Sequence, residues 1–361
     1  MPLTLREIGL FDFRSFAARS IELAGGLTIL CGANATGKTN TVEALQLLTA
    51  GTSFRNPRTS DLVRDGADSA KVTGRIEGDG RVIDVELIVE SGRKRFRRNG
   101  KPARPQDLSS TLMSVLFTPD DLQLVKAGAA ARRDELDVFG AQAAPSFARV
   151  RSAFIRALDQ RNRLLKEDSP DLGLIDAWSD QVALGGATLL KARLALFERL
   201  RDHMRPIYEG LAKESLDLAY ECTLGDDVKD LSRDEIRDLF LQRLAELRAD
   251  ELRRRQTLVG PQRDDVRFQI AGRDARSFAS QGQQRSVVLA WKMAEVEICR
   301  EVTQNEPILL LDDVMSELDE SRRGALTRLI ERGAQSVVTT ANLDYFPKGL
   351  LAGAEVVRFG K

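Results

Sequence analysis

Between Gly32 and Thr39 the chain reads GANATGKT: two glycines, a lysine and a hydroxyl at the spacing G-x-x-x-x-G-K-[ST]. Residues of these types in this order are suited to holding a polyphosphate. Glycines let backbone N–H groups close on phosphate oxygens, and a helix that starts there adds the positive end of its dipole. Lys38 would bridge the β- and γ-phosphates, and the Thr39 hydroxyl would bind Mg²⁺. Gly32, Asn34, Gly37 and Asn40 complete the expected cradle. An ordinary glycine-rich turn has a similar composition but needs no particular neighbours. Here the apolar run LTILC precedes the loop and the helical pattern TNTVEALQLLTAG follows it, ending on Gly51.

A second stretch, PILLLDDV, reads as a buried strand with two carboxylates at its end. Asp312 is placed to hold Mg²⁺, and Asp313 to polarise an attacking water. A third, SFASQGQQRSVVLA, sets Ser280, Gly282 and Gln283 at the start of a long helix. A hydroxyl, glycine N–H groups and a helix dipole make an anion site. Taken alone, the same residues make a polar helix cap.

These stretches need elements to position them. The first 31 residues alternate like strands in LTLREIGLFDF, ARSIEL and LTILC. Alternation returns in KVTGRIEG and RVIDVELIVE, with an Asn-Gly hairpin turn at Asn99–Gly100 and a short buried strand in MSVLF. Residues 129–255 read as mostly helical, with one strand-like interruption at LDLAYECTL. After that come DVRFQI, a helix from about Gln283, PILLLDD, a helix over SRRGALTRLIER, and the strands SVVTT and AEVVRF. The expected organisation is an α/β body formed by 1–128 and 256–361, with an antiparallel β part near 70–105. A mostly helical lobe, 129–255, is inserted into it.

Composition bounds the partners. The 361 residues carry 54 Lys+Arg against 54 Asp+Glu, so a polyanion must be met by local patches. No apolar run approaches the roughly 20 residues of a membrane span, and the charged N-terminal stretch is a poor signal peptide. Cys31, Cys222 and Cys299 are too scattered for a metal site or a disulfide framework, which fits a reducing cytoplasm. The single histidine, His203, reads as a surface residue, and zinc or histidine-based chemistry is nearly excluded. The window RKRFRRNGKPAR holds seven basic residues and no acid, with Arg93, Arg95 and Arg97 on one side of a hairpin and Lys94, Phe96 and Arg98 on the other. Neither side reads as a core face, so Arg93, Arg95, Arg97, Arg98 and Lys101 are candidates for nucleic-acid phosphates, set against a plain solvated edge. The run Arg253–Arg255 ends a helix, where cations favour the dipole.

The order phosphate loop, SQGQ, LLLDD resembles ABC-type ATPases, in which a signature motif grips the γ-phosphate of the nucleotide on the opposite subunit. That resemblance gives Ser280 a catalytic role beside Lys38 and Asp313, and makes MSELDE, with Ser316 to Asp319, similar to their D-loop. Across its whole length the chain resembles the bacterial recombination-repair family RecF. The match lies in CGANATGKTNTVEAL, GTSFRNPRTSDLVRDG, LFTPDDLQLVKAGAAARRDELD, ALDQRNRLLK, TLVGPQRDD, FASQGQQRSVVLA and ILLLDDVMSELD. The resemblance implies an ABC/SMC-like head without a long coiled coil, ATP and Mg²⁺ as cofactors, and an ATP-dependent homodimer. It also implies binding to gapped DNA and single-strand/duplex junctions, recombinase loading with RecR- and RecO-type mediators, and a place in the SOS response. About 240 residues between the phosphate loop and SQGQ leave room for a compact lobe and not a rod.

The departures are informative. Where the family has a histidine before Arg263 this chain has Gln262, which implies no catalytic role there. The position of a transporter's glutamine loop holds Asp120, Asp121 or Gln123, and that of its switch histidine holds Thr339, Thr340 and Ala341. With Asp313 in place of the usual glutamate, these imply slow hydrolysis in a clamp that closes on ATP. Arg55 resembles the arginine loop of SMC-type heads, the alternative being a surface arginine. Three rivals stay open: a transporter's nucleotide-binding subunit, a binding module using ATP as structural glue, and a P-loop kinase.

Overall fold

The computed structural model describes residues 3–360 and divides into two compact units, Met1–Leu122 with Arg285–Lys361, and Gln123–Gln284. The first unit opens with β1 (Thr4–Phe13), β2 (Phe16–Glu22), β3 (Leu27–Gly32) and α1 (Lys38–Ala50). It continues through β4 (Ser69–Gly78), β5 (Arg81–Glu90), β6 (Arg93–Arg98), β7 (Lys101–Ala103), α2 (Pro105–Ser109) and β8 (Ser114–Phe117). The second unit holds α3 (Ala129–Ala143), α4 (Pro145–Leu164), α5 (Leu172–Ala212), β9 (Leu216–Glu221), α6 (Arg233–Arg254), β10 (Asp265–Ile270), β11 (Arg273–Asp274) and α7 (Ala275–Phe278). Helix α8 (Gln281–Thr303) carries the chain back into the first unit, which ends with β12 (Ile308–Asp312), α9 (Val314–Glu317), α10 (Glu320–Glu331), β13 (Ser336–Thr340), α11 (Lys348–Ala352) and β14 (Glu355–Phe359).

Two sheets share the core of the first unit. One is parallel, in the order β14-β3-β13-β12-β8. Every residue of β8, β12 and β13 is buried, which is why these strands read as unbroken runs in the sequence. The other is antiparallel, in the order β2-β1-β4-β5-β6-β7, and its β5 buries alternate residues Ile83, Val85, Leu87 and Val89. Val42, Leu45 and Leu48 of α1 join residues of both sheets in one apolar cluster. The helix that carries the phosphate loop at its start is thus anchored by a core that spans both sheets.

The basic hairpin departs from its expected reading. Phe96 is buried in this cluster and Lys94 is half-buried, while Arg93, Arg95 and Arg97 are exposed. One side does face a core, because β6 lies between β5 and β7 with its Phe96 side toward the apolar cluster. Across the strand pair Arg97 lies opposite Glu86 and Arg93 opposite Glu90, so part of the positive charge is met by β5. Asn99 and Gly100 both take positive φ, 49° and 74°, in the expected tight turn.

The second unit is built on α4, the 41-residue α5 and α6, with an apolar cluster that includes Phe154, Leu190, Phe240 and Val259. It also contains a three-stranded sheet in the order β11-β10-β9. The compact unit extends to Gln284 and not to 255, since β9 pairs with β10 from Asp265↔Glu221 to Ile270↔Leu216 and so holds the following segment in the lobe. Buried ion pairs fix it internally: Arg161–Glu251 at 2.6 Å and Arg193–Asp137 at 2.7 Å. Cys31 and Cys299 are buried and in no disulfide, while burial and the nearby Asp264 carboxylate push the half-buried Cys222 thiol up to about 12. His203 is half-buried in α5 and so less exposed than expected. Among the described residues no helix is long and apolar enough to cross a membrane.

Candidate functional site

The loop between β3 and α1 emerges at the carboxyl end of the parallel sheet, where ligands of such sheets bind. Its glycines are required by space. A Cβ on Gly37, which has φ 100°, would lie 2.4 Å from the Phe16 ring, and one on Gly32 would lie 2.3 Å from the Phe359 carbonyl oxygen. Helix α1 begins with no side-chain cap and no acidic residue in its first turn. Its first N–H groups therefore have no partner from a cap, and the positive end of the helix is not neutralised. Lys38, 7% exposed, donates to the carbonyls of Gly32 and Ala33 at 2.7 Å each, fixing its ammonium inside the loop. Asn34 is exposed on the loop.

Two strand ends bring the remaining chemistry to this loop. Asp312, last in β12, pairs in register with Thr339 of β13. Its Oδ1 accepts from Thr39 Oγ1 at 3.0 Å and from Thr339 Oγ1 at 2.8 Å. The Thr339 hydroxyl in turn accepts from the Asp313 N–H at 2.9 Å. Burial pushes the Asp312 carboxyl above its ordinary range, opposed by the two threonine hydrogen bonds and by the Arg55 and Lys38 charges. Asp313 is also raised, by burial and by the Asp312 charge, with Lys38 opposing. It occupies the left-handed region at φ 53°, a position that bulky or β-branched residues avoid. Thr39 and Asp312 offer the hard oxygen donors that Mg²⁺ takes, one hydroxyl and one carboxylate, and the residues fit that ion.

The other expected site residues are placed as follows. Asn40 turns its side chain outward, donating to Ser15 Oγ and accepting from Arg55 Nη1, each at 2.9 Å. Ser280 and Gln283 form a reciprocal helix cap: the Gln283 N–H donates to Ser280 Oγ at 3.2 Å, and the Ser280 N–H to Gln283 Oε1 at 2.9 Å. Gln283 also donates to Glu214 at 2.7 Å, and Gly282 lies half-buried between the two capping residues. Asp319 caps α10 through the Arg322 N–H at 3.0 Å and pairs with the Arg322 side chain; the N–H bond first, and then the guanidinium charge, hold its carboxyl below the ordinary range. Asp121 caps its own turn through the Thr118 N–H at 2.6 Å and lies 3.8 Å from Lys292. Two site positions go beyond the sequence reading: Thr339, visible there only as the position of a missing switch histidine, and Glu43, one turn into α1.

The family model described as RecF/RecN/SMC N terminal domain matches residues 4–352. A DNA replication and repair protein RecF from Heliobacterium modesticaldum is 36% identical over 99% of this chain and 97% of its own length. A second, from Symbiobacterium thermophilum, is 40% identical over 95% of this chain and 92% of its own length. Among solved structures, the recombination mediator protein RecF–ATP in the RecFOR pathway superposes with TM-score 0.88 at 31% identity, covering 96% of this chain and 94% of that one. The Smc head domain of Pyrococcus furiosus superposes with TM-score 0.54 at 16% identity, covering 99% and 93%, a likeness of fold alone. The α/β body with its phosphate loop, the inserted lobe and the full-length similarity together place this chain in the RecF family of DNA replication and repair proteins, with the fold of an ABC/SMC-type ATPase head.

Proposed function

We propose that the chain is an ATP-dependent DNA-binding protein of recombinational repair and replication restart, which dimerises around two ATP molecules and hydrolyses them slowly. The observation that carries this reading is the convergence of Thr39, Asp312 and Thr339 at the mouth of a loop whose helix N-terminus is uncapped. Lys38 and the α1 N–H groups would bind the triphosphate. Mg²⁺, when bound by Thr39 and Asp312, would offset charge on the β- and γ-phosphates. Asp313 is the general base: its carboxylate takes a proton from the water whose oxygen bonds to the γ-phosphorus as the bond to the bridging oxygen breaks. A carboxyl held above its ordinary range is a stronger base than an exposed aspartate, while its side chain is one methylene shorter than the glutamate usual at this position. Thr339, hydrogen-bonded to both aspartates, sets their relative position in place of a switch histidine. In the closed dimer Ser280, Gly282 and Gln283 would face the γ-phosphate held by the second copy, the Ser280 hydroxyl donating its proton while its oxygen keeps the cap; Asp319 would lie in the loop alongside.

DNA, in this reading gapped or at single-strand/duplex junctions, would meet Arg93, Arg95, Arg97, Arg98 and Lys101 through phosphates, stimulate turnover, and bring in RecR- and RecO-type mediators for recombinase loading in the cytoplasm during the SOS response. Sedimentation velocity with and without ATP, then with a gapped duplex, tests the whole: ATP should convert monomer to dimer, and the dimer should bind the gap. Replacing Arg95, Arg97 and Arg98 by Glu should weaken DNA binding and flatten its salt dependence, by about 0.9 in log–log slope per lost duplex phosphate contact, with ATP-driven dimerisation intact. A dimer insensitive to ATP would overturn the nucleotide reading; an unchanged salt slope would reduce the hairpin to a solvated edge.

A further inference from the structure

The segment after α1 is sewn back onto the first turns of that helix around one buried carboxylate. Glu43, fully buried, accepts from Arg14 Nη2 at 2.7 Å and Nε at 2.9 Å, and from Ser53 Oγ at 2.5 Å. The same Ser53 hydroxyl accepts the Arg55 N–H at 3.2 Å, and Gln46 Oε1 accepts the Phe54 N–H at 2.7 Å. These bonds fix the backbone of 53–55 against α1. The Arg55 guanidinium then lies 3.6 Å from Glu43 and donates to Asn40 Oδ1 at 2.9 Å.

Charge around Glu43 does not balance. Arg14 and Ser53 already supply the hydrogen bonds that a buried carboxylate needs. Arg55 is a second cation on the same anion, with a side chain 39% exposed. Two cations thus share one carboxylate, beside a helix N-terminus that is itself positive and carries Lys38. The cluster reaches the phosphate loop through Asn40, in the first turn of α1, to which the Arg55 guanidinium is hydrogen-bonded. Arg55 is thus a cation that Glu43 does not need for its own satisfaction, and the triphosphate is the polyanion that the neighbouring loop is built for.

We propose that Glu43 is a positioning residue for nucleotide turnover, acting through Arg55: its buried carboxylate, with Ser53, holds Arg55 beside the phosphate loop as a further cation for the triphosphate. This rests on the nucleotide reading above. Glu43 touches no substrate; its effect is expressed only through where Arg55 sits.

The test is a double-mutant cycle on the full chain, reading ATP affinity and steady-state hydrolysis, with thermal unfolding as the check on folding. Glu43→Gln and Arg55→Ala should each lower kcat/KM about tenfold, and the double variant should fall no more than about twofold below Arg55→Ala alone. Equal losses from Glu43→Gln with and without the Arg55→Ala substitution would overturn the proposal, because a merely structural carboxylate matters in both backgrounds. Should Glu43→Gln fail to fold, Ser53→Ala replaces it in the cycle: it frees the 53–55 backbone without removing a buried charge and is expected to show the same dependence on Arg55, with additivity again overturning the proposal. Failure of the parent chain to bind ATP would be a different result, overturning the nucleotide reading itself and this inference with it.

Discussion

Two helices of this chain begin in glycine-containing polar loops, and they begin differently. At α1 the residue before the helix, Gly37, has φ 100° and offers no side chain, so the first N–H groups point into the loop with Lys38 behind them. At α8 Ser280 and Gln283 close on each other's N–H groups, and Gln283 is tied further to Glu214. The first end is left open by backbone geometry, and holding it open costs the folded chain stability until an anion arrives. The second end is satisfied as it stands. An anion site complete in one subunit needs an end of the first kind. An end of the second kind is stable unliganded and adds its hydroxyl proton only when a phosphate is delivered to it, which suits a site assembled from two copies.

The largest expected effect lies at the open end. Asp313→Asn should keep ATP binding and lower turnover at least about 10²-fold by removing the base, and single-turnover hydrolysis checks it. Turnover at the parent's rate would move the base to another carboxylate.

Lys38→Met should weaken ATP binding about 100-fold, since the loop then has helix N–H groups but no charge-assisted donor to the phosphates. Titration calorimetry measures this, and near-parent affinity would show that the uncapped helix end suffices by itself.

Asp312→Asn sharpens the cost of an open end. In the folded chain this carboxyl is raised above its unfolded range, so ionisation favours the unfolded state and stability falls as pH rises through the window between the two. The amide cannot ionise and keeps an oxygen to accept from Thr39 and Thr339. Without nucleotide the variant should melt a few degrees above the parent at pH 7, and the gain should vanish below about pH 3.9, where the carboxyl is protonated in both states. A gain independent of pH would assign it to packing.

Ser280→Ala is the smallest. Loss of the cap should cost about 1 kcal/mol in chemical unfolding, with ATP binding to a single subunit unchanged and ATP-driven dimerisation weakened. If unfolding is unaffected while dimerisation is lost, the hydroxyl is no cap and the contrast between the two helix ends fails.

How much of this is legible in sequence follows from what each feature depends on. The loop, α1, β12 and β13 are readable because local pattern and a fixed backbone motif go together there: GANATGKT between an apolar run and a helix admits few geometries. Glu43 is not, since an acid in a helical stretch carries no mark that Arg14, Ser53 and Arg55 will gather on it. The inward side of β6 is hidden for a related reason. Lys94 and Arg98 flank Phe96 and conceal a core face that shows only once β6 is paired with β5. The end of the lobe lies later than the helical pattern implies because β9 and β10 sit on either side of α6 in sequence, and their pairing is long-range.

Two thiols, Cys31 and Cys222, give the molecule built-in clocks. Cys31 ends the run before the phosphate loop, paired in register with Thr340 on one side and Arg358 on the other, and Cys222 lies in the inserted lobe. A thiol-reactive probe attacks only thiolates that meet solvent. Modification of the buried Cys31 therefore counts openings of the parallel sheet beside the phosphate loop, while the half-buried Cys222, slowed by a thiol pushed up to about 12, reports on the lobe. One alkylation time course, resolved peptide by peptide, separates the breathing of the catalytic body from that of the lobe without a single engineered label.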